Sequence, residues 1–118
     1  MTTLREWLNN AKVNWQNLVI VVQTRDDNSF LPVWGKNSKS LKLDFRENKL
    51  QNSDFAKNLL DFEFDCGFGA PEAPKFIGDD GEFLYFPEQY DGATNLVKVA
   101  KNIDYYTDCE KDTPYPGG

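Results

Sequence analysis

Asp61, Glu63 and Asp65 stand at alternate positions at the head of the stretch DFEFDCGFGAPEAPKF, residues 61–76. Carboxylates at that spacing can ligate a hard cation, serve as catalytic acids or bases, or line the wet face of a β-strand. A calcium loop of the EF-hand type needs acids at positions 1, 3 and 5, a glycine at 6 and a bidentate acid at 12. Counting from Asp61, the acids Asp61, Glu63, Asp65 and Glu72 meet four of those demands, but the first glycine, Gly67, comes one residue late. Phe62 and Phe64 occupy positions that are ordinarily polar, and Pro71 and Pro74 block the helix that should leave such a loop. A Mg²⁺ site for phosphoester hydrolysis is the other metal reading. It would use Asp61, Glu63 and Asp65, with Asp79, Asp80 and Glu82 adding to it and Lys75 as the nearby cation. Against both stands the row Phe62, Phe64 and Cys66 between the acids, which is what a half-buried strand requires. The acids therefore read first as a solvated strand face, and metal-dependent hydrolysis stands as the alternative function.

The chain contains no histidine. That excludes Ser-His-Asp hydrolysis, Cys–His pairs, histidine-held zinc and the two-histidine iron triad. Cys66 and Cys109 are the only cysteines. They are too few for a structural zinc site, and they read as free thiols rather than a bridge. GFGAPE at 67–72 lacks the third glycine of a dinucleotide loop and the Gly-Lys-Ser/Thr of a P-loop. Its glycines and prolines instead make a stiff loop that presents Phe68 and Glu72 at low entropic cost.

The net charge of −6 is unevenly spread. Residues 1–60 carry 9 Lys or Arg against 6 Asp or Glu, whereas residues 61–118 carry 4 against 13. An acidic half suits a basic protein surface and repels phosphate, so nucleic acid is not an expected partner. Aromatics crowd the same half, and YFPEQYDG at 85–92 sets Glu88, Tyr90 and Asp91 at a turn. Aromatic anchors among steering acids suit a protein–protein surface. Lys36, Lys39, Lys42, Arg46 and Lys49 read as protection of a sheet edge.

These residues must be positioned by a chain of 118 residues, enough for one core. A single domain is expected over 1–112, with a Pro/Gly-rich tail at 113–118. TLRE at 3–6 is a capping box, with Thr3 as N-cap and Glu6 reaching back, and Leu4, Trp7, Leu8 and Ala11 follow at helical spacing. NLVIVVQT at 17–24 has the continuous apolar pattern of a strand buried on both faces. SFLPVWG at 29–35 reads as an edge strand because Pro32 cannot donate to a ladder. SLKLDFR at 40–46 alternates, with Leu41, Leu43 and Phe45 inward. NSDFAKNLL at 52–60 predicts a short helix capped by Ser53. KFIGDDGEFLYF at 75–86 predicts a hairpin turning on Asp79, Asp80 and Gly81, with Pro87 ending its second strand. Asp91-Gly92 turns the chain, and Thr94 caps a final helix with Leu96, Val99, Ala100 and Ile103 in one stripe.

The expected fold is therefore α+β: a single-layer antiparallel or mixed sheet of about five to six strands, packed by an N-terminal and a C-terminal helix. The longest aliphatic run, LVIVV at 18–22, is too short to span a membrane, and the N-terminus has no signal-peptide pattern. A cytoplasmic protein without cofactor is expected, with no membrane partner. The function read from the sequence is a small acidic non-catalytic binding module. It would dock a basic protein through Phe68, Glu72, Glu88, Tyr90 and Asp91. Bacterial immunity proteins and phage-encoded inhibitors have a similar physical profile, by analogy only.

Overall fold

A computed structural model describes residues 2–25, 38–46, 54–64, 73–90, 93–111 and 113. Among them the architecture is α+β, with two α-helices, a five-stranded antiparallel sheet and a two-stranded sheet. The chain opens with β1 (Thr2–Thr3) and α1 (Leu4–Asn10), then a 3-10 turn (Trp15–Asn17) and β2 (Val19–Arg25). After β3 (Ser38–Asp44) come α2 (Asp54–Asp61), β4 (Glu63–Phe64), β5 (Lys75–Asp79), β6 (Phe83–Tyr90) and β7 (Ala93–Ala100). A second 3-10 segment, Ile103–Thr107, follows β7.

Thr3 caps α1 as its position suggests: its hydroxyl accepts from the Glu6 N–H at 3.2 Å. The Glu6 carboxylate takes the Thr2 hydroxyl at 2.9 Å. Leu4 and Leu8, one turn apart, are fully buried. The helix ends with Lys12 in the left-handed region at φ 59°, where the Val13 N–H returns to the Leu8 carbonyl at 3.1 Å. The short helix expected over 52–60 forms as α2, burying Ala56, Leu59 and Leu60. Its expected cap, Ser53, lies outside the described residues.

The large sheet runs β3-β2-β5-β6-β7, every neighbouring pair antiparallel. Ile20, Val22, Leu43, Phe76 and Tyr85 point to one face, where they form one cluster with the apolar residues of both helices. Trp7 meets the edge of Phe64 at 4.9 Å, which ties β4 to α1. β2 is an interior strand as its apolar run suggests. It is fully buried on one face, through Ile20, Val22 and Thr24, and half-buried on the other. The strand expected at 29–35 lies outside the described residues, as do Lys36 and Lys49 of the basic strip.

Three expectations are corrected. Residues 93–100 are not a C-terminal helix but β7, paired with β6 along its whole length from Phe83↔Ala100 to Tyr90↔Ala93. Thr94, Val97 and Val99 are β-branched, and the hairpin places every residue opposite a partner, which outweighs the weak helical stripe. Pro87 does not end β6. The Lys101 N–H donates to the Glu82 carbonyl at 2.9 Å, so the bonds to β7 fall on even residues of β6. Pro87 turns its missing N–H away from β7 and toward β5, where the ladder already stops at Tyr85. Finally, Asp61 does not share a strand face with Glu63: Asp61 closes α2, Glu63 lies in β4, and Asp65 falls outside the described residues. No helix among the described residues is long and apolar enough to cross a membrane.

Candidate functional site

The turn between β5 and β6 is built around one carboxylate. Asp80 is 3% exposed and accepts four hydrogen bonds. Its Oδ1 takes the Phe83 N–H at 2.9 Å and the Glu82 N–H at 3.1 Å. Its Oδ2 takes the Tyr85 hydroxyl at 2.7 Å and the Asn14 N–H at 3.1 Å. Two of these bonds close the turn, and the Asn14 bond ties in the segment that enters β2. Gly81, at φ +94°, supplies the left-handed residue the turn needs. Burial raises the carboxyl pKa, but the four donors together outweigh it and hold Asp80 below the usual carboxylate range. Tyr85 is pushed up, first by burial and then by its bond to Asp80 and the Asp80 and Glu82 charges. Tyr85 is fully buried, so this pair lies inside the fold and ties the turn to it.

Tyr85 also begins a run of rings that climbs to the surface. Its neighbour Phe83 lies 6.5 Å away, Phe83 meets Tyr105 edge-on at 5.4 Å, and Tyr105 meets Tyr106 at 4.9 Å. The Lys98 Nζ lies 4.2 Å from the centre of the Phe83 ring and donates to the Ala11 carbonyl at 2.8 Å. Tyr106 accepts the Ala100 N–H at 2.7 Å, which locks the 3-10 segment onto β7. Asn102 caps that segment by accepting the Asp104 N–H at 3.0 Å. Fixed in this way, the segment presents Ile103, 80% exposed, and Tyr105, 38% exposed. Asp104, Asp108 and Glu110 of the same stretch are exposed, as are Glu82, Lys101 and Lys111. Asp79 is paired with Lys101 at 2.9 Å, which lowers its pKa, and the Lys111 ammonium lies 5.5 Å from the Tyr105 ring centre. The arrangement is an exposed isoleucine and a half-exposed tyrosine on a 3-10 segment that is hydrogen-bonded to β7.

Sequence reasoning places a docking surface at Phe68, Glu72, Glu88, Tyr90 and Asp91. Phe68, Glu72 and Asp91 lie outside the described residues, and so does the side chain of Tyr90. Glu88 lies half-buried in β6 opposite Asn95, with its Oε2 buried and lacking a hydrogen-bond partner. The acids expected as metal ligands are not brought together where they are described. Asp61 is engaged by Arg5, with Nε to Oδ1 at 2.7 Å and Nη2 to Oδ2 at 3.3 Å, a pairing that lowers the Asp61 pKa. Glu63 is exposed and paired across β1 with Thr3. Asp65 lies outside the described residues. Asp79 and Asp80 are committed to Lys101 and to the turn. Among the described residues no three acids or cysteines converge as a metal site. Cys109 is a free, exposed thiol, and Cys66 lies outside the described residues. Ile103 and Tyr105 were missed because the helical stripe puts Ile103 inward; their signal is an apolar residue and two tyrosines in an acidic run, IDYYTDCEKD. Compared with protein-family models, with curated proteins and with solved structures, the chain finds no match.

Proposed function

We propose that this chain is a small acidic protein-binding module without catalytic activity, of the immunity- or inhibitor-like kind, and that it docks a basic protein. One observation carries the reading: Ile103 and Tyr105 are exposed at the end of a packed aromatic run, in a segment that also exposes Asp104, Asp108 and Glu110. A large aliphatic side chain left 80% in water forgoes about 1.5–3 kcal/mol that a partner would recover by covering it. The acids steer a cationic surface toward that anchor and reject acidic proteins. Phe68, Glu72, Glu88, Tyr90 and Asp91 belong to the same proposal as its 61–92 part.

The test is binding to an immobilised panel of strongly basic proteins, read by interferometry at low and high salt. Ile103→Asp and Tyr105→Ala are expected to lower affinity for the bound member at least about tenfold, and salt to slow its association. Glu72→Lys with Glu88→Lys tests the 61–92 part separately. If none of these changes alters capture at low salt, the docking surface is wrong.

A further inference from the structure

Ile103 and Tyr105 lie between two points of attachment to the sheet. The first is Lys101, whose N–H extends the β6–β7 ladder to the Glu82 carbonyl at 2.9 Å and whose ammonium pairs with Asp79 at 2.9 Å. The second is Tyr106, whose hydroxyl accepts the Ala100 N–H at 2.7 Å, six residues back along the chain. Between them the backbone turns on Asn102. Its carbonyl takes the Tyr105 N–H at 3.1 Å, and its side chain takes the Asp104 N–H at 3.0 Å. The Thr107 hydroxyl donates to the Asp104 carbonyl at 2.7 Å. These bonds shape the segment from within, but a 3-10 turn of five residues does not hold its form by itself. The stretch that follows bonds to itself, with the Lys111 N–H on the Asp108 carbonyl and the Glu110 N–H on the Asp108 carboxylate, both at 3.0 Å.

The residues offered to a partner do little of the holding. Ile103 is 80% exposed, and Tyr105, which meets Phe83 edge-on at 5.4 Å, is itself part of the surface. Tyr106 is different. It is half-buried, its ring stands 4.9 Å from that of Tyr105, and its hydroxyl is engaged by Ala100. We infer that Tyr106 is the positioning residue of the docking segment: its hydroxyl holds Ile103 and Tyr105 in their docking arrangement before a partner arrives, without itself meeting the partner. The inference rests on the docking reading above and adds how that surface is kept ready. A segment fixed beforehand loses less conformational freedom on docking. A segment that is in place only part of the time binds more weakly by that fraction. Without the hydroxyl, the Ala100 N–H turns to water, and the segment keeps Lys101 and the Tyr105–Phe83 ring contact as its attachments.

Tyr106→Phe keeps the ring and removes only the hydroxyl, and two measurements on the full chain test it. The first needs no partner: NMR of wild type and variant under conditions where both are folded. In the variant the Ala100 amide should exchange several-fold faster, and the order parameters of the Ile103 methyl and the Tyr105 amide should fall, while the β6–β7 ladder keeps its protection. The second is affinity for the member of the immobilised basic panel that wild type binds most tightly. It should fall about three- to tenfold, with its salt dependence unchanged because no charge is altered. A residue with a structural role alone would lower the urea midpoint but leave the order of Ile103 and the affinity of the folded chain as they are. Unchanged order at Ile103 and Tyr105, or a loosened segment that binds as tightly as wild type, would overturn the inference. A wild-type chain that binds no member of the panel overturns the docking reading instead, and the order measurement then decides the positioning role.

Discussion

Replacing Asp80 by alanine leaves three backbone N–H groups and the Tyr85 hydroxyl without their acceptor, beneath a turn that is 3% exposed at this residue. Hydrogen bonds to a charged group contribute about 1.5–3 kcal/mol each, and bonds sharing one carboxylate do not add in full. Deleting the acid also relieves its burial cost, so the expected loss is about 3–5 kcal/mol. That is a large part of the 5–15 kcal/mol or so that holds a domain together. Asp80→Asn keeps one acceptor oxygen for Phe83 and Glu82 but turns an amide group toward Asn14, and should cost about 1.5–3 kcal/mol. Tyr85→Phe removes one donor, and a double-mutant cycle with Asp80→Asn should show about 1–2 kcal/mol of coupling. The assay is urea unfolding followed by tryptophan fluorescence, with Trp7 and Trp15 packed on Phe64 and Phe45 as reporters. The pH dependence has a definite sign. The folded pKa of Asp80 is depressed, so its contribution is complete above the unfolded value of about 3.9 and is lost as pH falls through the folded value. Wild type should therefore lose stability more steeply than Asp80→Asn below about pH 4. An Asp80→Ala chain destabilised by less than about 1 kcal/mol would refute the reasoning.

Backbone conformation predicts two changes of opposite sign. Lys12→Gly, at φ 59°, should stabilise by about 0.5–1 kcal/mol, and Gly81→Ala, at φ +94°, should destabilise by about 1 kcal/mol or more, both read as urea midpoints. The Arg5–Asp61 bridge has side chains 43% and 56% exposed, so Arg5→Ala should cost no more than about 0.5–1 kcal/mol, and less in high salt. A cost of several kcal/mol would show that the bridge does more than join two helix ends.

The elements that can be read directly are those whose pattern is local. Thr3, Leu4 and Leu8 fall within a stretch of six residues, and the alternation of Leu41, Leu43 and Phe45 is complete within five. The Asp79–Gly81 turn carries its own chemistry in the side chain of Asp80. The failures share a physical cause, which is pairing with something distant in sequence. Residues 94–103 match a helical stripe at four positions, yet each residue of 93–100 gains a partner in β6, so tertiary pairing decides. Asp91-Gly92 is a hairpin signal as well as a turn, and it lies between two runs that can pair. Asp61 looks like the start of a strand until Arg5, 56 residues earlier, is seen to hold it at the end of α2. The reach of Asp80 to Asn14, and of Tyr106 to the edge of β7, leaves no sequence signal. Of the candidate site, the acidic character and the tyrosines were legible from composition. The helical stripe makes Ile103 a core residue, whereas in the fold it is exposed.

The claim that Ile103 and Tyr105 form an anchor for a basic protein is tested most directly by photocross-linking from position 105 in living cells, with the captured proteins identified by mass spectrometry. The account predicts capture of a strongly basic protein, lost on Ile103→Asp and weakened by reversing the charges of Glu82 and Asp104. Capture that is absent, or that is dominated by acidic proteins and indifferent to those changes, would contradict it.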